Sequence, residues 1–553
     1  MGSRGPTLGA ALLVAALLCV GCSRAAAAGH LAPGATLPPA EQTLTVAVSS
    51  DFPTLDPALA QDTESISAIQ LMYETLFTYG PSGQLRGRLA AGWQWNASGT
   101  QLTVELNQAA RFADGTPVTS ADVAFSLDRL IASTTGSPYA LSFSALDGFA
   151  QLRAGKPWMA TGIQTLGNGE VVFNLQYPVP YLPELLAMPC TSVVERSLAQ
   201  GVPAGSNWWF AHSAGSGPYV FQSYSPGSDL ALRPAHAYWR AGADVGGDPE
   251  GPFVSVDFRI IPSPAQQVHL FATGSLDVLS AVSPGLLGPR PAGSRLWQAS
   301  DLGLAYLGFN VSKPPFNNVM MRQAVAYAVN VEQLLAAGGG QGTVAGGLLP
   351  PGIAGYNPAI APHPYDPGKA RALFAAAGGT PGEPVQLLTI AATGTVQQPG
   401  TDAVAAAVAQ DLDAIGFQVT LVQESWTAYY RDLAAGRDNL FQAQWLADYP
   451  DPEDFMFNLL DSAAIGAGNG SRYTSAAFDA AEAAAAALQA PSARAAAYSR
   501  LDQEVALALP LLPEYYTRSA VLTQSWVAPD LGAIYGSAPL QPQYDRVWIL
   551  PHS

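Results

Sequence analysis

The chain has 553 residues, of which 48% are hydrophobic and only 12% are charged, so the composition is that of a folded rather than a disordered protein. A hydrophobic core seldom grows beyond about 250–300 residues, and the length therefore predicts several domains. Its 42 acidic and 25 basic residues give a formal net charge of −17. This balance argues against binding to nucleic acid, because phosphate contacts require clustered lysine and arginine.

The N-terminus resembles a secretion signal. One basic residue precedes an apolar run at residues 8–20, which is shorter than the 20 or so apolar residues that a membrane span needs. The run ends in Val20-Gly21-Cys22, and small residues before a cysteine are what a bacterial lipoprotein signal peptidase accepts. We therefore expect a signal peptide at residues 1–21, a lipid on Cys22 and a flexible tether at residues 22–41. Cleavage near the alanine run at residues 25–28, without a lipid, is the alternative.

The first half of the body combines strand patterns with two helical patterns. Strands are predicted at residues 44–49, 93–95, 101–106 and 171–175, and as a hairpin at 219–224 and 229–233. A helix is predicted at residues 63–76, where apolar residues recur every three or four positions. A second helix is predicted through residue 130, with Thr119 or Ser120 as its cap and Asp122 in its first turn.

The second half alternates strands and helices more regularly. Strands are predicted at residues 254–261, 302–309, 385–390, 418–423 and 440–445. Helices are predicted at residues 264–273, 319–329, 366–378, 402–415, 427–435 and, in an alanine-rich stretch broken at Pro491, 475–508. This alternation predicts an α/β domain.

The sequence lacks the motifs of common hydrolases and nucleotide-binding enzymes. It contains no HExxH, CxxC, G-x-S-x-G or P-loop motif, and Cys190 is the only cysteine beyond Cys22. Asp451, Glu453 and Asp454 are dense enough to consider for a metal, but their spacing does not match an EF-hand. We interpret them as a solvated acidic turn, and we expect no catalytic activity, no metal and no cofactor.

Several segments, taken in chain order, resemble one known family. The segments are LDP at residues 55–57, YETL at 73–76, FADGTPVTSADV at 112–123, GSGPY at 215–219, YW at 238–239, GSLDV at 274–278, PPF at 314–316, RQA at 322–324, YDP at 365–367 and WLADYPDP at 445–452. Together they resemble the family 5 extracellular solute-binding proteins of bacterial ABC importers, which take up oligopeptides, dipeptides and nickel.

Most of these motifs are expected to be structural. Asp114-Gly115-Thr116-Pro117 has the pattern of a tight turn with glycine at a positive φ. We expect Asp56 to cap the segment that follows it, and Arg322 to pair with a carboxylate.

The resemblance implies an α/β, two-lobed periplasmic-binding-protein-like fold (type II, cluster C) with an extra β-rich domain on the first lobe. Lobe I would contain residues 42–62, 215–303 and 520–553, the additional α+β domain residues 63–214, and lobe II residues 304–519. The ligand would bind between the lobes and shift the population towards the closed form.

The resemblance also implies a function. The protein would be a substrate-binding lipoprotein that captures extended peptides and delivers them to an ABC permease and its ATPase. In peptide-binding relatives the ligand pairs through its backbone like an added strand, and the matching segments here are Asp51-Phe52-Pro53 and Trp445-Leu446-Ala447. Asp448 matches the acidic residue that holds the α-ammonium group of the ligand. The alternative is that Asp448 only stabilises the turn that follows it.

Other functions remain open from the sequence. The same fold could bind a non-peptide solute such as a metal chelate, a sugar or an opine, or it could serve a surface signalling protein without transport. Only six histidines and three cysteines are present, which argues against direct metal ligation. A secreted peptidase or esterase is disfavoured by the missing motifs. We expect a monomer that lies outside the cytoplasm, in the periplasm or at the cell surface. The lipid on Cys22 would be its only attachment to the membrane.

Overall fold

The computed structural model describes residues 42–80, 83–157, 161–240, 254–280, 290–291, 293–340, 342–391, 401–528, 544 and 547–549. Cys22, the predicted signal peptide and the predicted tether lie outside these residues. In the described part of the chain, no helix is both long enough and apolar enough to cross a bilayer.

The strands and helices follow the predicted alternation. The strands are β1 Thr43–Val48, β2 Phe77–Tyr79, β3 Leu85–Gly87, β4 Ala90–Trp95, β5 Gln101–Leu106, β6 Ile163–Leu166, β7 Glu170–Asn174, β8 Tyr219–Ser225, β9 Asp229–Pro234, β10 Ser255–Ile260, β11 Val278–Leu279, β12 Arg295–Phe309, β13 Thr343–Val344, β14 Glu383–Ile390, β15 Phe417–Glu424, β16 Leu440–Leu446, β17 Leu511–Thr523, β18 Val527–Ala528 and β19 Trp548–Ile549. The α-helices are α1 Thr63–Met72, α2 Ser120–Ile131, α3 Phe149–Arg153, α4 Leu182–Leu185, α5 Arg196–Ala199, α6 Pro264–Ala272, α7 Val319–Ala328, α8 Val331–Ala337, α9 Pro367–Ala376, α10 Thr401–Asp413, α11 Trp426–Ala435, α12 Pro452–Leu460, α13 Ala476–Ala486 and α14 Pro491–Ala508.

One mixed sheet of eleven strands connects the two halves of the molecule. Its order is β15-β14-β16-β12-β17-β11-β1-β10-β9-β8, with β13 beside β17. The long strands β12 and β17 run antiparallel to each other, and their pairing shifts register between Ser300 and Leu304. Leu302 lies in this bulge with a φ of 51°, a value that side chains other than glycine seldom adopt. The two halves of the sheet therefore meet at a bulged and locally strained strand pair.

A second sheet lies in the segment between β1 and β8. It is antiparallel, with four strands in the order β4-β5-β7-β6. Helix α2 packs on it, and the helix begins as predicted, because Asp122 accepts a hydrogen bond from the backbone N–H of Thr119 at 2.9 Å. The core beneath includes the fully buried side chains of Phe112, Leu130 and Phe173.

Glu74 lies at the centre of a buried polar network that joins several of the family-like motifs. Its carboxylate accepts hydrogen bonds from Arg88 Nε at 2.7 Å, Ser216 Oγ at 2.8 Å, Tyr238 OH at 2.7 Å and Trp239 Nε1 at 2.8 Å. Because Glu74 is only 3% exposed, each of these bonds replaces water that the folded chain excludes. The YETL, GSGPY and YW motifs are thus joined in one buried network, in agreement with the expectation that most of these motifs are structural.

Two further motifs also have structural roles. Asp56 of LDP accepts hydrogen bonds from the backbone N–H of Ala58 at 3.1 Å and of Gly205 at 2.9 Å, and it forms an ion pair with Arg129. Asp114 accepts from the backbone N–H of Thr116 at 2.7 Å, across the glycine of the predicted tight turn.

The expectation for Arg322 is wrong in one respect. Its guanidinium donates to carbonyl oxygens and not to a carboxylate: the acceptors are Phe316 at 2.7 Å, Ala508 at 2.5 Å and Leu509 at 2.9 Å. Two of these carbonyls end α14, where helical carbonyls lack partners, so Arg322 caps that helix.

Replacing Glu74 tests the network. Glu74→Gln removes the charge that faces Arg88, and breaking a buried pair from one side costs about 3–5 kcal/mol. We expect the free energy of unfolding, measured with urea by tryptophan fluorescence, to fall by roughly that amount. Glu504→Gln on the exposed side of α14 is the control and should leave the transition unchanged. Equal transitions for both variants would show that the network does not stabilise the fold.

Candidate functional site

A large cavity lies between the two halves of the molecule. Its volume is about 1840 Å³, and its wall comes from the end of β1, from α1, from residues 138–145 and 177–181, from the end of β16 and from β17. Small-molecule sites usually measure about 300–1,000 Å³. The cavity therefore has room for a larger or extended ligand.

One buried carboxylate organises the wall at the end of β16. Asp454 on α12 is fully buried, and its Oδ2 accepts hydrogen bonds from Trp445 Nε1 at 3.0 Å and from the backbone N–H of Asp448 at 3.1 Å. The backbone N–H of Ala447 bonds to the carbonyl of Leu302 at 3.3 Å. These contacts hold the residues that follow β16 against both α12 and the bulge of β12.

The Asp448 side chain lines the cavity. It is exposed towards the cavity, and protein surrounds it on the other sides. Burial raises the pKa of Asp448, and burial together with the neighbouring Asp448 charge raises the pKa of Asp454. None of the ion pairs among the described residues includes Asp448 or Asp454, so no cation of the described chain compensates these two carboxylates. A cationic ligand group would supply it.

The acidic residues after Asp448 are buried. Asp451, Glu453 and Asp454 are 9%, 8% and 0% exposed, so the interpretation of a solvated acidic turn is wrong. Asp451 caps α12, accepting from the backbone N–H of Glu453 at 2.9 Å, and pairs with Arg494 at 2.5 Å. The partner lies 43 residues further along the chain, where the sequence pattern did not reveal it. The described residues contain no group of three or more His, Cys, Asp and Glu placed to hold a metal.

Aromatic rings close one side of the cavity. Tyr181, from the segment of the second sheet, stacks parallel on Tyr449 from the other half, with ring centres 5.9 Å apart. The guanidinium of Arg494 lies 4.9 Å from the ring centre of Tyr181. Away from this contact, Gln489 Nε2 donates to the carbonyl of Ser98 at 3.1 Å. The segment that contains the second sheet therefore contacts the other half of the molecule at two places.

The wall of the cavity is strongly acidic. Among the described residues that line it, eight are acidic and one is basic; the acidic ones are Asp62, Glu64, Asp301, Asp448, Glu453, Asp454, Asp461 and Glu482, and the basic one is Arg518. Such an excess of one sign in a cleft concentrates ligands of the opposite sign. Tyrosines and tryptophan, whose ring faces also attract cations, line the same wall.

The residues predicted for the site occupy two kinds of position. Trp445, Leu446, Asp448 and Pro53 line the cavity, whereas Ala447 is buried and is absent from the described lining.

The other two predicted residues lie beside the cavity. The carboxylate of Asp51 accepts from the backbone N–H groups of Phe52 and Gly227, both at 2.8 Å, and from Tyr224 OH at 2.6 Å. Phe52 packs on Tyr224 and Phe258 and is 2% exposed. These side chains fix the loop from which Pro53 reaches the cavity.

Sequence reasoning missed much of the acidic wall. Glu453, Asp454 and Glu482 come from helices α12 and α13, and Arg518 from β17. One signal was available: Asp451-Pro452 has the pattern of a helix cap followed by proline in the first turn, which predicts α12. No local pattern could have brought Glu482 and Arg518 to the same cavity.

Comparison with known proteins places the chain in a family. Residues 84–467 match the model described as "Bacterial extracellular solute-binding proteins, family 5 Middle". The chain belongs to this family. The periplasmic oligopeptide-binding protein OppA of Escherichia coli (strain K12) is 25% identical over 558 residues, which cover 97% of this chain and 98% of OppA. The periplasmic murein peptide-binding protein MppA of the same organism is 26% identical over 514 residues, which cover 90% of this chain and 91% of MppA.

Solved structures of this family have the same fold. The periplasmic binding protein DppA from Helicobacter pylori in complex with the peptide STSA has a TM-score of 0.74 at 23% identity, over 92% of this chain and 98% of that one. OppA from Haemophilus influenzae in complex with RPPGFSPFR also has a TM-score of 0.74, at 22% identity, over 92% and 99% of the two chains. The predicted family and the predicted two-lobed α/β fold are confirmed.

A carboxyl group next to the cavity gives a measurable pH dependence. Glu514 on β17 is fully buried and accepts from Gln442 Nε2 at 2.6 Å, and Gln442 lines the cavity. Its Oε1 and the Oε1 of Gln442 have no partner in the described part of the chain. Burial raises the pKa of Glu514 to about 8. The folded protein therefore holds a proton that the unfolded chain releases at lower pH, and stability falls as pH rises towards 8.

Glu514→Gln should reduce this pH dependence. A group that titrates only in the unfolded chain changes stability by about 1.4 kcal/mol per pH unit, and glutamine has no proton to release. Its amide can also donate to the Oε1 of Gln442. We expect the free energy of unfolding to decline less between pH 5 and pH 8 in this variant than in the wild type. Urea unfolding across that range measures it, with Glu504→Gln as the control. An unchanged slope would contradict the assignment.

Proposed function

We propose that this protein is the substrate-binding component of an ABC importer, which captures extended peptides in the cavity between its lobes and presents them to a membrane permease and its ATPase. The observation that carries the proposal is the cavity-facing carboxylate of Asp448, held in place through Asp454 and lacking a cation in the described residues. Relatives whose names or structures specify oligopeptides, murein peptides or the bound peptide STSA support it.

The physical basis is the cost of an unpaired charge in a closed cleft. A peptide brings an α-ammonium group, and Asp448 offers the opposite charge at the end of β16. Either charge alone would be costly once the lobes close and water leaves, whereas the pair offsets that cost. Ligand contacts with both lobes would then favour the closed form.

The edge of β16 offers a place for the peptide backbone. Strand β14 pairs with β16 only at Leu440 and Phe441, in the described residues. Residues 443–446 pair with β12 on their other side, and no strand of the described residues pairs with their edge towards β14, which would suit an added strand. Backbone pairing at Trp445-Leu446-Ala447 does not read ligand side chains, which would permit many peptide sequences.

We also propose the division into lobes given by the sequence. Lobe I would comprise residues 42–62, 215–303 and 520–553, the additional domain residues 63–214, and lobe II residues 304–519. The lobe boundaries at residues 303 and 519 fall within the paired strands β12 and β17, beside the bulge at Leu302. Rotation about this strand pair would open and close the cavity.

Asp448→Asn tests the ammonium contact. The change keeps the shape and removes the charge, and a hydrogen bond to a charged group contributes about 1.5–3 kcal/mol. We expect a peptide with a free amino group to bind about tenfold to a few hundredfold more weakly. N-acetylation of the peptide should weaken wild-type binding, yet change binding to the variant little. Titration calorimetry on both proteins with both peptides measures this coupling.

The control for this experiment is Asp402→Asn, an exposed carboxylate outside the cavity lining, which should bind both peptides like the wild type. Equal affinities of the wild type and Asp448→Asn for the free-amine peptide would show that Asp448 does not bind the ammonium group and only stabilises the turn. If the wild type binds no peptide at all, the ligand class is a different solute.

We propose in addition that Cys22 carries the lipid that attaches the protein to the membrane. In the native host, Cys22→Ala should release the protein from the membrane fraction, because no other anchor is predicted. Fractionation followed by immunoblotting measures this, with Cys190→Ala, a buried cysteine, as the matched control. Wild-type protein with a mature N-terminus beyond Cys22 would overturn the assignment.

A further inference from the structure

One part of the acidic wall lies apart from Asp448. Glu482 on α13 is 3% exposed and lines the cavity. Its Oε1 accepts a hydrogen bond from Tyr498 OH at 2.8 Å. Its Oε2 has no hydrogen-bond partner in the part of the chain that the structure describes. An oxygen that lacks a donor, on a largely buried side chain of the cavity wall, is a position that a ligand donor would satisfy.

The charges around Glu482 increase the cost of its ionisation. Burial is the largest cause, and the negative charges of Glu453 and Asp461 add to it, so that the pKa of Glu482 rises to about 8. The hydrogen bond from Tyr498 and the charge of Arg494 lower this pKa without offsetting the rise. The guanidinium of Arg494 already donates two hydrogen bonds to Asp451, at 2.5 and 3.2 Å. The protein therefore does not itself compensate Glu482.

The surroundings of Glu482 suit an alkyl chain. Apart from Asn458, Asp461 and Glu482 itself, the residues that line the cavity between the end of α12 and the end of α13 are small or apolar; they are Phe457, Ala463, Ala464, Ala467, Ala483, Ala486 and Ala487. Lysine and arginine side chains combine an apolar stem with a terminal cation, and such stems pack on apolar surface while the charge reaches a polar partner. A free metal ion or a bare ammonium ion would leave this apolar wall unused.

We infer that this wall is a second subsite of the cavity, which takes a lysine or arginine side chain of the bound peptide, with Glu482 as the carboxylate that receives its cation. The inference rests on the proposed peptide-binding function. It narrows that function, because backbone pairing alone would accept any side chain, whereas this subsite selects peptides that carry a basic residue. The eight acidic residues and single arginine of the described lining favour the same class of ligand.

The test compares lysine with norleucine, which has a similar stem and no charge. Alanine tetrapeptides with a free amino group carry one lysine or one norleucine at each position in turn, and titration calorimetry measures their affinities. At one position we expect the wild type to bind lysine about tenfold or more tightly than norleucine. Glu482→Gln should remove most of that preference.

Two further variants control the experiment. Asp301→Asn changes another acidic residue of the lining, whose carboxylate already accepts from Thr517 and Ser519, and it should keep the lysine preference. Ala486→Lys places a competing ammonium one helical turn from Glu482, at a half-buried position of the cavity wall, and it should abolish the preference even if Glu482→Gln does not fold.

The outcomes separate the two proposals. If the wild type binds tetra-alanine but shows no lysine preference at any position, the subsite inference is wrong and peptide binding stands. If it binds none of the peptides, the proposed function fails. Spermidine is the further arm: if it binds without peptide and with the same dependence on Glu482, the subsite recognises free polyamines, and the assignment to a peptide side chain is overturned.

Discussion

The carboxylate of Asp454 is the interaction on which the cleft depends. It is fully buried in the first turn of α12, and it accepts the indole N–H of Trp445 and the backbone N–H of Asp448. Both donors are neutral, so they orient the two residues without cancelling the negative charge nearby. The N-terminal end of a helix partly stabilises such a charge. The protein therefore holds Asp448 in position without a partner cation. The cost of its negative charge in the closed cavity is left for a ligand to offset.

A second constraint comes from the strands that join the lobes. β12 and β17 pair with each other and with strands on either side, so one continuous sheet runs through both halves of the molecule. The bulge at Leu302 interrupts this pairing next to Ala447, whose N–H bonds to the Leu302 carbonyl. A change in the strand pair would consequently be transmitted directly to the segment that carries Asp448.

The sequence predicts elements whose signals are local. Three examples are the alternating pattern of β5, the cap of α2 and the proline that separates α13 from α14. Each was predicted from the sequence, and the structure agrees to within a few residues. β17 was not predicted, because its largely apolar run lacks alternation and it is defined by partners more than 200 residues away, such as Arg295 opposite Thr523. The same limit explains why the motifs that contain Glu74, Ser216, Tyr238 and Trp239 were recognised separately, while the hydrogen bonds that join them were not predicted.

For the site, the pattern predicted that Asp448 follows a strand, but not what surrounds it. Charge density alone suggested solvent for Asp451, Glu453 and Asp454, since buried acids are rare unless paired. Their burial depends on Arg494 and on the stacked rings of Tyr181 and Tyr449, which come from distant parts of the chain. Because Arg494 is occupied by Asp451 and by the ring of Tyr181, its charge is unavailable to the rest of the wall. The charge of Arg494 thus serves the contact that closes this side of the cavity, and among the described residues that line the cavity only Arg518 is basic. The remaining negative charge of the wall is therefore left for a cationic group of the ligand to offset.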